Sequence, residues 1–452
     1  MSGQENITDL HNVVQYLFKE LASLQDEVKS LKSENALLRE KLSRYEHPKN
    51  SGNSSLPPSK DPIGKRIKSL RKPSGKKPGG QVGHEGSTLE FKKPDVVEIL
   101  SPTYCNSCGC SLEEIDREIL EVRQQVDIPP IVPVVTEFRL VAKQCCCGHS
   151  NQGDFPSNVN SPVSFGANIE ALVCYLNVCH HIPYKRLSKL FNEVFNQPIS
   201  EGTIDNILNR MQRRTAPAYE TIRKMISTAS VVGVDETSTA VNGKNVWSWV
   251  FQTPKATYLT SGRTRKISEF TDIMPGGLPD SILNTDCYSG YFSQEVASHQ
   301  ICTAHLLRDL NYLQELYESH QWASRIKDIL YDAIQERQSK NGTINETPFR
   351  ERLQKLLDEN INPKKYPKVC TLQKRLKKYK DYIFTFLKYQ NVPPDNNASE
   401  RAIRVFKIKT KVSGFFKSMN GSQRFAQLHS IADTARKNMQ SPFNVFHLAV
   451  KC

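Results

Sequence analysis

The chain of 452 residues has no long apolar segment. No apolar stretch follows its first six residues, and no uninterrupted apolar run approaches the roughly 18 residues that a membrane span needs. These absences argue against a secretory leader and against a membrane protein. We therefore expect a soluble, unexported protein, and at this length we expect two to four domains.

Acidic residues are in deficit. The sequence has 61 lysines and arginines against 47 aspartates and glutamates, which gives a formal net charge of +14. Such a surplus favours a polyanionic partner, because each phosphate that a cation neutralises releases bound counterions. The alternative is a basic soluble protein with no nucleic-acid partner.

The first 46 residues carry a regular apolar seam. Its members alternate between spacings of four and three residues over more than four heptads, which is the pattern of a coiled coil. Asn35 falls at an a position, where two aligned amides satisfy each other across a parallel dimer. Residues 8–46 are therefore predicted to form a dimerisation helix; the alternative is a lone amphipathic helix packed on its own protein. The seam consists of Leu10, Val14, Leu17, Leu21, Leu24, Val28, Leu31, Asn35, Leu38 and Leu42.

The composition changes abruptly after the seam. Residues 47–86 are rich in proline, glycine, serine and lysine, and Asp61 is the one acidic residue before Gly83. Such a segment buries too little apolar area to fold by itself. Residues 47–92 are therefore predicted to be a flexible basic linker that can lie along the DNA backbone without reading bases.

Twelve cysteines in an unexported protein indicate metal binding or burial before disulfides. Cys105 and Cys108 have the C-x₂-C spacing of a zinc knuckle. The second cluster is less regular, and its Cys145, Cys146, Cys147 and His149 compete for the two remaining ligand positions. Residues 93–158 are predicted to form a small zinc-binding module, and buried cysteines without metal are the alternative.

Residues 160–226 are predicted to be helical. Two helices, 184–195 and 200–211, flank the turn Asn196-Gln197-Pro198, as in a helix-turn-helix DNA-binding unit. A plain helical hairpin is an equal alternative. In the first case the second helix would present Thr203, Asn206, Asn209 and Arg210 outward.

Three acidic residues occupy related positions. Asp235 and Asp286 each follow a short apolar run that reads as a buried strand, so both are expected where a strand gives way to a loop. Glu400 lies in the first turn of a predicted helix whose N-cap is Asn397 or Ser399. Three such carboxylates can converge on a pair of divalent cations, which would clamp an in-line phosphoryl displacement.

The strands around these acids have a recognisable order. The turn Asn242-Gly243 predicts a hairpin, a third strand follows at 257–260, and after a helix a further strand delivers Asp286. A fifth strand is expected to run into a helix near Cys302. There His305 and Arg308 are candidates to contact a phosphate or to orient a carboxylate, although His305 is equally suited to cap the helix.

Four sequence blocks in this order, VVGVDET, TDCYSGYF, CTAHLLRDL and DNNASERAIR, resemble those of the DDE transposases of the IS66 insertion-sequence family. The resemblance implies an RNase H-like catalytic domain over residues 227–440. Within it, the helical and lysine-rich pattern of residues 310–390 predicts a helical insertion. The resemblance also implies that Asp235, Asp286 and Glu400 bind catalytic Mg²⁺ or Mn²⁺. By analogy with the family's zinc-binding region, the zinc ligands would be Cys105, Cys108, Cys145 and Cys147.

The sequence thus predicts a multidomain α/β protein that acts as a DNA transposase. It would cleave and join DNA strands at terminal inverted repeats and target DNA, as a homodimer or higher oligomer, in the bacterial cytoplasm at the nucleoid. Small accessory proteins of the same element would be partners. The alternatives are a non-catalytic zinc-containing DNA-binding regulator and a structure-selective nuclease on the same core.

Overall fold

The computed structural model describes residues 2–54, 61, 79–80, 83–86, 89–129, 131–156, 159 and 161–451. Most of the predicted basic linker, with its lysines and arginines between residues 62 and 78, lies outside the described residues. Among the helices that are described, none has both the length and the apolar character needed to cross a membrane.

The predicted coiled-coil segment forms one long helix, α1 (Ser2–Glu46). Seam residues such as Leu17, Leu21 and Leu24 are all more than half exposed. The helix therefore presents its apolar seam to the outside of the chain.

Most of the described residues between 89 and 156 belong to no helix or strand. This segment contains a short antiparallel hairpin of β1 (Ala142–Gln144) and β2 (Ser150–Gln152). A second turn is closed by an isolated bridge between Tyr104 and Ser111. Many apolar side chains here are exposed, among them Leu120, at 91%.

Four helices follow and match the predicted helical region. Ser200 caps the second of the two helices predicted around the turn by accepting a hydrogen bond from the Thr203 backbone N–H. Asn196 closes the helix before it in the left-handed conformation, which asparagine tolerates well. The helices are α2 (Ala167–Cys179), α3 (Tyr184–Phe195), α4 (Glu201–Arg214) and α5 (Ala216–Ser227).

A five-stranded sheet lies next in the chain, with the predicted order of elements. Three antiparallel strands are followed by helix α6 (Ile267–Ile273) and then by two strands parallel to the first. In spatial order the sheet runs β5-β4-β3-β6-β7. Its strands are β3 (Val231–Val241), β4 (Lys244–Gln252), β5 (Thr257–Gly262), β6 (Leu278–Thr285) and β7 (Val296–Ile301).

Helices occupy the rest of the chain, as predicted for the insertion and the C-terminal region. Residues of α7 to α11 form a core that includes Ile282 and Ile301, so this part packs on the β6–β7 side of the sheet. The helices are α7 (Thr303–Leu316), α8 (Trp322–Ser339), α9 (Thr347–Leu357), α10 (Pro367–Tyr379), α11 (Thr385–Lys388), α12 (Asn397–Ser413), α13 (Met419–Lys437) and α14 (Pro442–Lys451).

Helices α2–α5 and the sheet share a single hydrophobic core. Leu187 and Ile207 from the helices belong to the same buried cluster as Val234 and Trp249 from the sheet and Phe446 from α14. Burial of this apolar surface is the main force that joins the two parts. The helical region is thus packed onto the sheet as one unit.

The start of the predicted flexible linker is docked on α7. Asn53, which is 1% exposed, donates a hydrogen bond of 2.6 Å to Glu315, and Asn311 donates to the carbonyl of Gly52. Lys49 lies over the ring of Tyr312. Residues 48–54, at the start of the predicted linker, thus make specific contacts with α7, through buried asparagine side chains whose partners composition does not reveal.

Candidate active site

Asp235 and Asp286 lie on adjacent strands. Strand β3 runs parallel to β6 with Gly233 opposite Asn284, so each aspartate stands two residues beyond the same paired position. Asp286 follows the end of β6, as predicted. Asp235 lies inside β3, opposite Val250 of β4, and the expectation that its strand ends there is wrong, because the hairpin with β4 extends the strand to Val241.

Helix α12 brings Glu400 to this pair through a very close contact with β3. A Cβ atom on Gly233 would stand 2.8 Å from Asn396 Oδ1, and it would come closer still to Ser399 Oγ. Real side chains do not tolerate such distances, so glycine at this position lets the start of α12 lie directly on the strand. The side chain of Asn396 also donates a hydrogen bond of 2.7 Å to the carbonyl of Val234.

The loop before α12 is tied to the ends of two other strands. Asn284 donates to the carbonyls of Pro393 and Asp395, and the N–H of Asn396 donates to Cys302 Sγ at 3.1 Å. The N-cap residue is Asn396, and Ser399 donates to its Oδ1. The predicted N-cap, Asn397 or Ser399, is therefore wrong: the cap position is Asn396, whose side chain donates to Val234 instead of accepting from the first turn of the helix.

Burial and the neighbouring carboxylates disfavour ionisation of Asp235. Burial is the main reason that the pKa of Asp235 lies well above its usual range, and the charges of Glu236, Asp286 and Glu400 raise it further. A divalent cation would favour the ionised form of a buried carboxylate such as Asp235, and oxygen ligands are those that Mg²⁺ prefers. The chemistry of Asp235, Asp286 and Glu400 therefore suits the implied ion, although their oxygens do not all lie within 4.8 Å of one another in this structure.

Helix α7 presents two side chains to Glu400. Arg308 donates from both terminal nitrogens to its two carboxylate oxygens, each at 3.3 Å, and His305 Nε2 lies 3.6 Å from Oε1. The N-cap of α7 is Cys302, so His305 faces the carboxylate instead of capping the helix. Cys302, His305 and Glu400 also place one ligand atom each within 4.8 Å of one another, a geometry that suits a metal ion.

Glu236 is a buried member of the site that the sequence did not single out as a site residue. Tyr291 donates its hydroxyl to Oε2, and Arg265 donates to Oε1 at 2.7 Å. The guanidinium of Arg265 in turn lies over the ring of Tyr288, 4.4 Å from its centre. The one signal in the sequence was its position next to Asp235. That signal was weak, because neighbouring residues in a strand point to opposite faces.

The two cysteine turns form separately. Hydrogen bonds from the backbone N–H groups of Cys108 and Ser107, and then from the Cys108 side chain, lower the pKa of Cys105. The backbone N–H of Cys147, followed by its side chain, does the same for Cys145. Deprotonated thiols are the form that binds zinc. Among the described residues, the one group of three possible ligands within 4.8 Å of one another is Cys302, His305 and Glu400. None of the clustered cysteines belongs to it, so the structure does not bring the two halves of the predicted zinc site together.

The predicted recognition helix is largely engaged within the protein. On α4, Arg210 pairs with Glu170 of α2, and Asn209 hydrogen-bonds Asp205 and Arg424. Thr203 contacts the cap residue Ser200. Of the four residues expected to face outward, these three are held by neighbours, because α4 packs between α2 and α13 instead of projecting freely.

A family model described as "Transposase IS66 family" matches residues 162–424, which is more than half of the chain. The chain belongs to the IS66 transposase family. A second model, for a family of unknown function (DUF6444), matches residues 6–90 of this IS66-family protein. No curated protein matches this chain.

Proposed function

We propose that this IS66-family transposase cleaves DNA strands at the ends of its element and joins them to a target, with Asp235, Asp286 and Glu400 as the catalytic carboxylates. The observation that supports this is their convergence: Asp235 and Asp286 follow paired positions of β3 and β6, and α12 carries Glu400 into electrostatic reach of Asp235. The strand order β5-β4-β3-β6-β7 agrees with an RNase H-like core.

The three carboxylates would hold two Mg²⁺ or Mn²⁺ ions. When bound, such ions stabilise the attacking and leaving oxygens of an in-line phosphoryl displacement. Arg308 holds Glu400 by both carboxylate oxygens and thereby fixes its orientation. The backbone N–H of Tyr288 donates to Asp286 at 2.9 Å and that of Glu236 to Asp235 at 2.9 Å, so each aspartate keeps one oxygen in a set position.

Cleavage is a hydrolysis at phosphorus, and joining is a transesterification at phosphorus. In cleavage, the oxygen of water bonds to the scissile phosphorus while the bond to the 3′ oxygen breaks, which leaves a 3′-hydroxyl and a 5′-phosphate. In joining, that 3′-hydroxyl attacks a target phosphate and displaces the target's own 3′ oxygen. Neither step needs a covalent bond to the enzyme.

Other parts of the chain would supply DNA affinity and assembly. The net charge of +14 and the basic linker favour binding to phosphates, and Cys105, Cys108, Cys145 and Cys147 would hold a structural Zn²⁺. Terminal inverted repeats, target DNA and small accessory proteins are the proposed partners. The bacterial cytoplasm, at the nucleoid, is the proposed location.

The carboxylates provide the main test. Asp235→Ala, Asp286→Ala and Glu400→Ala should each lower cleavage and strand transfer by roughly 10³-fold or more, and double variants should lose little further because the three act as a unit. DNA binding should be nearly unchanged. Asp272→Ala, at an exposed position of α6, is the matched control.

Four outcomes would contradict the proposal or its details. Full strand transfer by the Glu400 variant would remove it from the site, while full activity in all three variants would place the chemistry elsewhere. A wild-type protein that binds DNA but neither cuts nor joins it would be the non-catalytic regulator. One that cuts but never joins would be the nuclease.

Helix α1 is proposed to pair with a second copy in parallel. The leucine seam is exposed along the helix, and Asn35 at an a position specifies the register at some cost in stability. Asn35→Leu should therefore raise the thermal stability of the dimer and loosen its oligomeric state. Sedimentation of the wild type and variant at micromolar concentration measures this, and a monomeric wild type would refute the pairing.

A further inference from the structure

A cavity of about 290 Å³ lies among helices α2, α4, α12 and α13, away from the carboxylates. Four cationic side chains line it, Lys185, Lys409, Lys417 and Arg424, against two carboxylates. Arg424 is already paired with one of these, Asp205, at 2.6 Å. The walls of the cavity therefore keep a net positive charge.

Lys409 is the unusual member of this set. Its side chain is on the same helix as Glu400, yet the residue is only 8% exposed. It donates to the carbonyl of Asn177 at 3.2 Å and lies over the ring of Phe425, but it has no carboxylate partner within the described part of the chain. A buried ammonium is costly unless something compensates its charge.

A second buried lysine shows the contrast. Lys437, on α13, donates to three acceptors: the side chain of Gln252 and the carbonyls of Thr253 and Ala256. Its donors are thus used within the fold, as expected for a structural lysine. The ammonium of Lys409, with one hydrogen-bond acceptor among the described residues, still has donors to offer an anion.

Two further features of the cavity suit a nucleotide. The N-terminus of the 19-residue helix α13 opens at the cavity, where Ser418 and Gly421 line it, and a helix N-terminus attracts phosphate. Phe415 lines the same cavity and is 51% exposed, so its ring is free to stack on a base. Basic groups beside an exposed aromatic ring are the features with which proteins bind unpaired nucleotides.

We propose that this cavity, the Lys409 pocket, binds one unpaired nucleotide of a DNA strand, with the phosphate at Lys409 and the start of α13 and the base against Phe415. Lys409 is nine residues from Glu400, about 13.5 Å along α12 and half a turn around it, so the pocket is a subsite separate from the carboxylates. The assignment rests on the proposed function in DNA strand transfer.

The test compares two DNA probes on the full-length protein. One is a blunt 20-base-pair duplex, and the other is the same duplex with a three-thymidine single-stranded overhang. Their difference in affinity, measured by fluorescence anisotropy, removes whatever the basic linker contributes to both. The wild type should bind the overhang duplex roughly tenfold more tightly. Lys409→Met should abolish that advantage while leaving the blunt duplex within twofold.

A third probe separates phosphate from base. An overhang of three abasic nucleotides keeps the phosphates and lacks the base rings. Phe415→Ala should therefore reduce the affinity advantage of the thymidine overhang only. Lys409→Met should reduce the advantage of the thymidine overhang and of the abasic overhang. Lys255→Met, at an exposed lysine that does not line the cavity, should retain both advantages. Phe415 is exposed, so its variant also covers the case in which Lys409→Met does not fold.

Each result has a definite meaning. An overhang advantage that survives both Lys409→Met and Phe415→Ala overturns the pocket while the proposed function stands. The same holds if the wild type binds blunt and overhang duplexes equally. A wild type that binds none of the three probes contradicts the proposed DNA-binding function itself.

Discussion

Residues 89–156 and residues 161–451 contain similar apolar side chains, but the first region exposes many of them and the second buries most of them. In the second region, Trp249 and Trp322 are completely buried, each within a core made by several elements. In the first, Val97 and Ile128 are 71% and 77% exposed. The sheet and helices of the second region bury one another's apolar faces, whereas the hairpin of the first, β1–β2, is too small to cover its neighbours.

The comparison indicates two sources of stability. Residues 161–451 obtain theirs from their own buried surface, as a domain of that size can. Residues 89–156 have little buried surface but carry six cysteines in two turns, so we expect their order to depend on what they bind. The predictions that follow test this difference, beginning with the largest effect.

Metal removal should separate the regions most clearly. We expect about one zinc per chain, and binding of structural zinc is worth about 10 kcal/mol or more, so a chelator should remove essentially all amide protection from residues 89–156. Residues 161–451 should keep theirs. Hydrogen exchange followed by mass spectrometry, with metal analysis, measures both.

Two variants sharpen the zinc prediction. Cys105→Ser should lose the metal, and Cys146→Ser, the matched control in the second turn, should retain it. A chain purified without chelator that contains no zinc, or a Cys146→Ser chain that loses it, would contradict the assignment to Cys105, Cys108, Cys145 and Cys147.

Within the packed region, Gly233→Ala should cost about 3 kcal/mol and most of the activity. The new methyl group would collide with Ser399 and Asn396, so α12 and Glu400 must move. Gly166→Ala, where a Cβ meets no atom within 4 Å, is the control. Chemical denaturation and a cleavage assay measure the two effects.

Removing the colliding hydroxyl should help. The double variant Gly233→Ala with Ser399→Ala is expected to recover part of the stability, because one of the close atoms is gone. A Gly233→Ala protein as stable and active as the wild type would show that α12 does not need this contact to carry Glu400.

The packed region should also be sensitive to acid. Burial lowers the pKa of His181, His299 and His429 to about 4, from about 6.5 when unfolded. Between these values the unfolded chain binds protons that the folded chain does not, so stability is complete above pH 6.5 and falls as the pH drops towards 4. For His429 alone the loss is up to about 3 kcal/mol.

His429→Leu should reduce this dependence, whatever it does to stability at neutral pH. Lys255→Met, at an exposed lysine, is the control. Denaturation midpoints between pH 4 and 7 measure the slope. Equal slopes for the wild type and His429→Leu would show that other groups, such as the carboxylates, govern the acid response.

The sequence by itself determined the local elements of this protein. Helix α1, the hairpin at Asn242-Gly243, the succession of strands along the chain and helices α3 and α4 follow from periodicities and turn residues that lie within a few positions of each other. The three acids were also found in this way, because each stands beside an element that the pattern predicts.

Only the tertiary structure decided how those elements meet. The contact of Gly233 with α12, the hydrogen bond of Asn396 to Val234 across 162 positions and the docking of Asn53 on Glu315 join residues that are remote in sequence. Lys409 has the same surroundings in the sequence as the exposed Lys411, yet it is buried. Local pattern carries no information on such contacts, because they depend on which faces pack together once the chain has folded.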